Sequence, residues 1–269
     1  MDRPLLVALL AGVLQGIFEW LPISSEGNLA VVLTALGQPV ESAVAFGLFL
    51  HLGTAFSAAV YYHDEVADLL ARLPRWHPRR AFEGEQAPVT FLAIGTLVSG
   101  VVGLAAYATL DEVVNELTGG TVVVLIGVLL VATGLFQKLT AGRESAETEP
   151  DAVDAVLVGA AQGVAILPGI SRSGMTTGTL LLRGYDGSSA FRFSFLLSIP
   201  AALGGATIAY LDTGLGDVTT QQAGVALLTA FVVGYVTIDA LLRVVERVSF
   251  WAVCLGLGAV AMLGGLLVV

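Results

Sequence analysis

The sequence predicts an all-α polytopic membrane protein, one domain over residues 1–269. It is built as an inverted-topology repeat of about six full transmembrane helices plus two re-entrant broken-helix hairpins. Three observations carry this prediction. Of the 269 residues, 56% are hydrophobic and only 13% charged, about half the ~25% charge of an ordinary soluble domain. Apolar runs long enough to cross a bilayer recur along the chain, and two of them are interrupted by Pro, Gly and Ser. The basic residues gather in alternate loops. A water-soluble globule and a disordered chain are excluded, and a net charge of −10 excludes a nucleic-acid binder. The single cysteine, Cys254, excludes a disulfide framework or a cysteine-built metal site.

Taken in order, residues 5–36 are apolar but broken at Leu21-Pro22-Ile23-Ser24-Ser25-Glu26-Gly27. Proline removes a backbone donor and crowds the preceding turn, so the segment splits into two half-helices. Residues 43–62 make the first full span, at about 20 residues per crossing. Arg72, Arg75, Arg79 and Arg80 fill the next loop, and residues 89–109 span again to a loop with Asp111 and Glu112 but no Lys or Arg. Residues 121–139 return to Lys138 and Arg143. The second broken segment, 152–182, is interrupted at Leu167-Pro168-Gly169-Ile170-Ser171-Arg172-Ser173-Gly174 and is flanked by Arg183 and Arg192. Spans 190–210, 221–242 and 250–269 follow, joined by an acidic loop at 212–217 and by a loop with Arg243 and Arg247.

Positive loops stay in the cytoplasm. The full spans then alternate without conflict, provided that 152–182 starts and ends on the cytoplasmic side and 5–36 starts and ends outside. The sequence repeats in the same sense. Gln15-Gly16 with Leu21-Pro22, Ser24 and Gly27 is echoed by Gln162-Gly163 with Leu167-Pro168, Ser171 and Gly174. Repeat 1 covers about 1–139 and repeat 2 about 152–269, with a cytoplasmic linker at about 140–151. Inverted repeats with paired broken helices place a site near the bilayer midplane.

Ten of the twelve basic residues lie in or at the edges of the loops assigned to the cytoplasm and Arg3 lies at the N-terminus, which leaves Arg172 alone in the middle of an apolar segment. A buried cation costs at least ~2.5–3.5 kcal/mol, so it needs a partner or a task. Glu19 and Glu26 flank the first break, and Ser24, Ser25, Asn28, Ser171, Ser173, Thr176 and Thr177 concentrate at the two breaks. Each restarting half-helix presents unpaired N–H groups and a partial positive charge. With a guanidinium fork, hydroxyls, and Gly169 and Gly174 to admit the ligand, the breaks form an oxyanion receptor inside the lipid layer. That implies a substrate with a phosphate head and a lipid tail. Glu19, one helical turn from Gln15, would repel a phosphate unless it served as a general base or held a divalent cation.

These residues resemble a known family. The run Gln15-Gly16-Ile17-Phe18-Glu19-Trp20-Leu21-Pro22-Ile23-Ser24-Ser25 is similar to the Glu/Gln-x-x-x-Glu and Leu-Pro-Ser-Ser motif of the undecaprenyl pyrophosphate phosphatases. Pro168-Gly169-Ile170-Ser171-Arg172-Ser173-Gly174-Met175-Thr176 resembles that family's Pro-Gly-x-Ser-Arg-Ser-x-x-Thr motif. Acidic loops with a single lysine give the chain the look of a haloarchaeal member. The resemblance implies hydrolysis of a polyprenyl diphosphate to the monophosphate, recycling a lipid carrier. It implies a Mg²⁺ or Ca²⁺ cofactor, a cell (plasma) membrane location, a site open to the extracytoplasmic side, and a homodimer.

On that resemblance Glu19, Arg172 and Ser25 are the catalytic set, with Glu19 also the candidate cation ligand. Gln15, Ser24, Asn28, Gly169, Ser171, Ser173, Gly174 and Thr176 bind substrate. The nucleophile is Ser25 or a cation-bound water. Gln15 stands where Glu is usual, and Asn28 where many members carry His. Asn cannot accept a proton at neutral pH. His51 lies in an apolar run and reads as packing before it reads as a replacement imidazole. Asp239 reads as structural, and Glu26 as a helix cap or a site residue. The alternative function is a polyprenyl-phosphate flippase using the same midplane site.

Overall fold

The structure is a computed structural model that describes residues 3–117, 119–142, 149–214, 218–245 and 247–267. Among these residues every regular element is a helix. The helices are α1 (Arg3–Phe18), α2 (Ser25–Ala35), α3 (Val40–Tyr61), α4 (His63–Arg72), α5 (Ala87–Glu116), α6 (Gly119–Thr140), α7 (Ala152–Val164), α8 (Arg172–Leu182), α9 (Gly187–Thr213), α10 (Thr220–Val245) and α11 (Phe250–Leu266). Arg143, residue 217 and the side chains of residues 111, 112 and 212, on which part of the expected orientation rests, lie outside what is described.

Among the described residues five helices are long and apolar enough to cross a membrane: those at Val40–Tyr61, Gly84–Thr109, Gly119–Thr140, Gly187–Leu211 and Thr220–Val245. The sixth expected span, α11, has 17 residues among the described ones and falls just short by length. The apolar segments 5–36 and 152–182 each divide into two helices, α1 with α2 and α7 with α8. One α-helix among the described residues lies outside every predicted segment. This is α4, whose sequence His63-Asp64-Glu65-Val66-Ala67-Asp68-Leu69-Leu70-Ala71-Arg72 buries no residue. It is too polar to register as a span.

Local chemistry explains the boundaries. The Asp151 side chain accepts from the Asp154 N–H while Asp154 Oδ2 accepts from the Asp151 N–H, a capping box that starts α7. Asp186 caps α9 through the Ser189 N–H at 3.0 Å, and Ser171 caps α8 through the Gly174 N–H at 3.2 Å. Arg183 ion-pairs with Asp154 and, at 3.1 Å, with Asp151, tying the end of α8 to the start of α7.

Helix α1 packs along α10 and α7 along α5. A Cβ on Gly16 would lie 2.8 Å from the Gly234 nitrogen, and one on Gly163 would lie 2.9 Å from the Gly103 nitrogen. Only glycine admits such backbone approach. Helix α3 crosses α9, α6 pairs with α11, and the short α2 and α8 lie on α3 and α9 respectively. The packing therefore brings the two breaks together at the centre of the bundle.

Candidate active site

The first break, residues 19–24, is held open by a specific backbone conformation. Ser24 is the only non-glycine residue with positive φ among the described residues, at φ 61°. Such a conformation costs an L-residue roughly 1–2 kcal/mol. Its Oγ accepts from the Gly27 N–H at 3.4 Å, capping α2, and from the Gly169 N–H at 3.0 Å, joining the second break. Gly169 has φ +100°, and a Cβ there would lie 2.5 Å from the Ile126 carbonyl. Thr133 Oγ1 donates to the Gly169 carbonyl at 3.0 Å and accepts from the Ser171 N–H at 3.3 Å. Trp20, fully buried, donates from its indole to the Gly234 carbonyl at 3.0 Å and so fixes the turn beside Glu19.

Glu19 is the centre of the cluster and is only 6% exposed. Its Oε2 accepts from Gln15 Nε2 at 3.0 Å and from the Ser25 hydroxyl at 3.0 Å. Its Oε1 pairs with the Arg172 guanidinium. His51 Nε2 stands 3.3 Å from Oε2. The His51 Nδ1 contacts the Gly47 carbonyl at 2.9 Å, and a carbonyl only accepts, so Nδ1 carries the proton there. Arg172 also reaches the Ser194 carbonyl at 3.4 Å. The four groups come from α1, α2, α3 and α8, so the carboxylate senses both breaks at once.

The remaining predicted residues divide. Ser24, Ser171 and Ser173 line the same small polar cleft as Glu19, Ser25 and Arg172. Gly169 and Gly174 use their N–H groups within the breaks, on Ser24 and Ser171. Thr176 bonds the Ser194 hydroxyl at 2.6 Å and the Arg172 carbonyl at 2.8 Å, holding the arginine's own turn. Asn28 donates to the Ile23 carbonyl at 2.5 Å and the Ser24 carbonyl at 3.0 Å, and it does not line the cleft. Asp239 accepts from the Tyr61 hydroxyl at 2.6 Å, linking α10 to α3 away from the cleft.

Sequence reasoning left His51 and Glu26 open and passed over Ser194 and Thr133. His51 and Glu26 both line the polar cleft. Glu26 is 5% exposed, and its Oε1 is buried without a hydrogen-bond partner. Among the described residues no three His, Cys, Asp or Glu side chains gather into a metal cage. An unsatisfied carboxylate oxygen beside a second carboxylate does suit a hydrated Mg²⁺, which takes one or two carboxylates and completes its shell with water and phosphate.

A family model described as "Bacitracin resistance protein BacA" matches residues 8–260. The chain is 49% identical over 268 residues to a protein of Haloarcula marismortui named undecaprenyl-diphosphatase, covering 99% of each chain. It is 39% identical over 262 residues to a Methanococcoides burtonii protein of the same name, covering 95% of this chain and 96% of that one. A Methanopyrus kandleri relative, again so named, is 40% identical over 264 residues, or 95% and 94% of the two chains. The matched region runs from α1 into α11 and contains both breaks with every residue of the Glu19 cluster, and on that extent the chain belongs to the BacA family.

Proposed function

We propose that this protein hydrolyses a polyprenyl diphosphate of the undecaprenyl type to the polyprenyl monophosphate and inorganic phosphate. The observation that carries the proposal is the convergence on Glu19, where a serine hydroxyl from one break and a guanidinium from the other meet one buried carboxylate. A carboxylate at the centre of an anion receptor weakens simple binding but serves as a base beside a hydroxyl nucleophile. The name shared by the relatives supports the same conclusion.

In this mechanism the diphosphate engages the Arg172 fork and the N-terminal turns of α2 and α8. Glu19 Oε2 takes the proton of Ser25, with which it is already in hydrogen-bond contact at 3.0 Å. Ser25 Oγ bonds to the terminal phosphorus as the bond to the bridging oxygen breaks, and that electron pair leaves with the polyprenyl monophosphate. Glu19 hands that proton to the departing monophosphate oxygen and, ionised again, takes one from a water. The water oxygen bonds to the phosphorus as its bond to Ser25 Oγ breaks, and Glu19 returns the proton to that oxygen. Arg172 stabilises the charge that builds on the terminal oxygens. A divalent cation, which Glu26 and Glu19 would hold, supplies further neutralisation of the diphosphate when bound.

A flippase is not favoured, because the relatives' name is that of a hydrolase and a base beside a serine has no task in carriage. The resemblance supports a plasma-membrane homodimer. The groove that leads from the site follows the halves of α5 and α9 running toward loops without Lys or Arg, which supports an extracytoplasmic opening. The test is phosphate release by purified protein given undecaprenyl diphosphate with Mg²⁺ or Ca²⁺ over a wide salt range. One phosphate per lipid, and none from the monophosphate, is expected. No release under any condition would overturn the proposal, and transfer of labelled lipid phosphate across vesicles by Glu19→Gln would favour carriage instead.

A further inference from the structure

Beside the polar cleft lies a second cavity of about 200 Å³, bounded by α3, α5, α7 and α9. The two share Glu26, His51, Ala165 and Arg172, so they are two ends of one amphiphilic space. Two buried side chains in the wall of the second cavity, Glu26 (shared with the polar cleft) and Gln162, carry unpartnered Oε1 atoms. The outer end is apolar, and three of its wall residues are the glycines Gly100, Gly204 and Gly205. These glycines are unlike those at the helix contacts. A Cβ on Gly16 or Gly163 would strike backbone, whereas a Cβ on Gly100, Gly204 or Gly205 would meet no atom within 4 Å. Packing therefore does not require glycine at these three positions. Nor does backbone conformation require it, for none of the three has positive φ. A side chain there would project from the wall of the groove into open space.

We propose that this groove seats the first isoprene units of the substrate's tail, and that Gly100, Gly204 and Gly205 set its width. The inference rests on the diphosphatase function for the identity of the head group, and adds to it where the tail lies and which residues admit it. An apolar cavity of ~150 Å³ takes up a benzene-sized ligand, so this one has room for one or two isoprene units, the rest of the tail remaining among the lipids. Continuity with the arginine end fixes the direction, with the diphosphate inward on Arg172 and the chain outward between α5 and α9.

The experiment compares the wild type with Gly204→Leu, Gly100→Leu and a control, Gly224→Leu, in lipid nanodiscs. Gly224 on α10 also has open space around its Cβ position but does not line the groove. Leucine at Gly204 or Gly100 should raise KM for undecaprenyl diphosphate about tenfold or more, with kcat changed far less, because the displaced contacts are apolar and uniform along the reaction. Gly224→Leu should leave both constants unchanged. A second measurement, thermal protection by farnesyl monophosphate against that by inorganic phosphate, needs no turnover. The wild type should gain extra protection from the prenyl chain, and Gly204→Leu should lose that increment while keeping the protection by inorganic phosphate. A Gly204→Leu protein with wild-type KM and the full prenyl increment would overturn the groove, as would an equal loss in Gly224→Leu. A wild type that releases no phosphate would instead overturn the diphosphatase function, and the protection measurement would still decide the groove.

Discussion

The hydroxyl of Ser24 accepts a hydrogen bond from the backbone N–H of Gly169 at 3.0 Å, joining two residues 145 positions apart. This bond links the breaks of the two halves of the chain. It holds the first break, which carries Glu19, against the second, where Arg172 opens α8. Ser24→Ala leaves a buried N–H without a partner, a loss of roughly 1–3 kcal/mol. A clear fall in the thermal midpoint in detergent is expected, and an unchanged midpoint would show that the bond contributes nothing.

Gly27 tests the same contact sterically. A Cβ there would lie 2.5 Å from the Gly169 nitrogen, which is backbone and cannot rotate away. Gly27→Ala should therefore push the breaks apart and lower phosphate release by about 10²-fold, since small misplacements at a reacting centre carry that penalty. Retained activity would mean that the turns yield without moving Arg172.

Arg172→Lys keeps the charge but removes the planar fork. A loss of about 10²–10³-fold in kcat is expected, comparable with removal of a donor from an oxyanion site. Activity within a few-fold of the wild type would reduce Arg172 to a point charge.

Asn28 has its amide committed to the carbonyls of Ile23 and Ser24. Asn28→Asp replaces a donor by an acceptor facing two carbonyls, and should destabilise the break by roughly 1–3 kcal/mol. Asn28→His should likewise give no gain in rate, because His51 already stands 3.3 Å from Glu19. A large gain in Asn28→His would show that an imidazole is needed at position 28.

The architecture was legible where physics leaves few options. At the two breaks proline, with Ser and Gly beside it, ends the helix, and α1 and α7 stop before Pro22 and Pro168, whereas α9 runs on through Pro200. A charge in lipid must be satisfied, and Arg172 meets Glu19. Polar pairing across elements was less legible. His51 sits in a continuous apolar helix, and only the crossing of α3 near the first break turns its ring toward Glu19. Ser194 and Thr133 resemble the many Ser and Thr residues that serve membrane packing, and only tertiary contact distinguishes them. The groove was invisible for a related reason. In sequence, Gly204 reads like Gly163, whereas in the fold one faces space and the other backbone.

The most direct test is the rate of phosphate release from undecaprenyl diphosphate by the wild type and by Glu19→Gln. The substitution keeps the side chain's size and removes its capacity as a base. The wild type should release phosphate and Glu19→Gln should be slower by about 10²–10⁴-fold, the usual contribution of general base catalysis. A Glu19→Gln protein that hydrolyses the lipid within twofold of the wild-type rate would contradict the central role of Glu19.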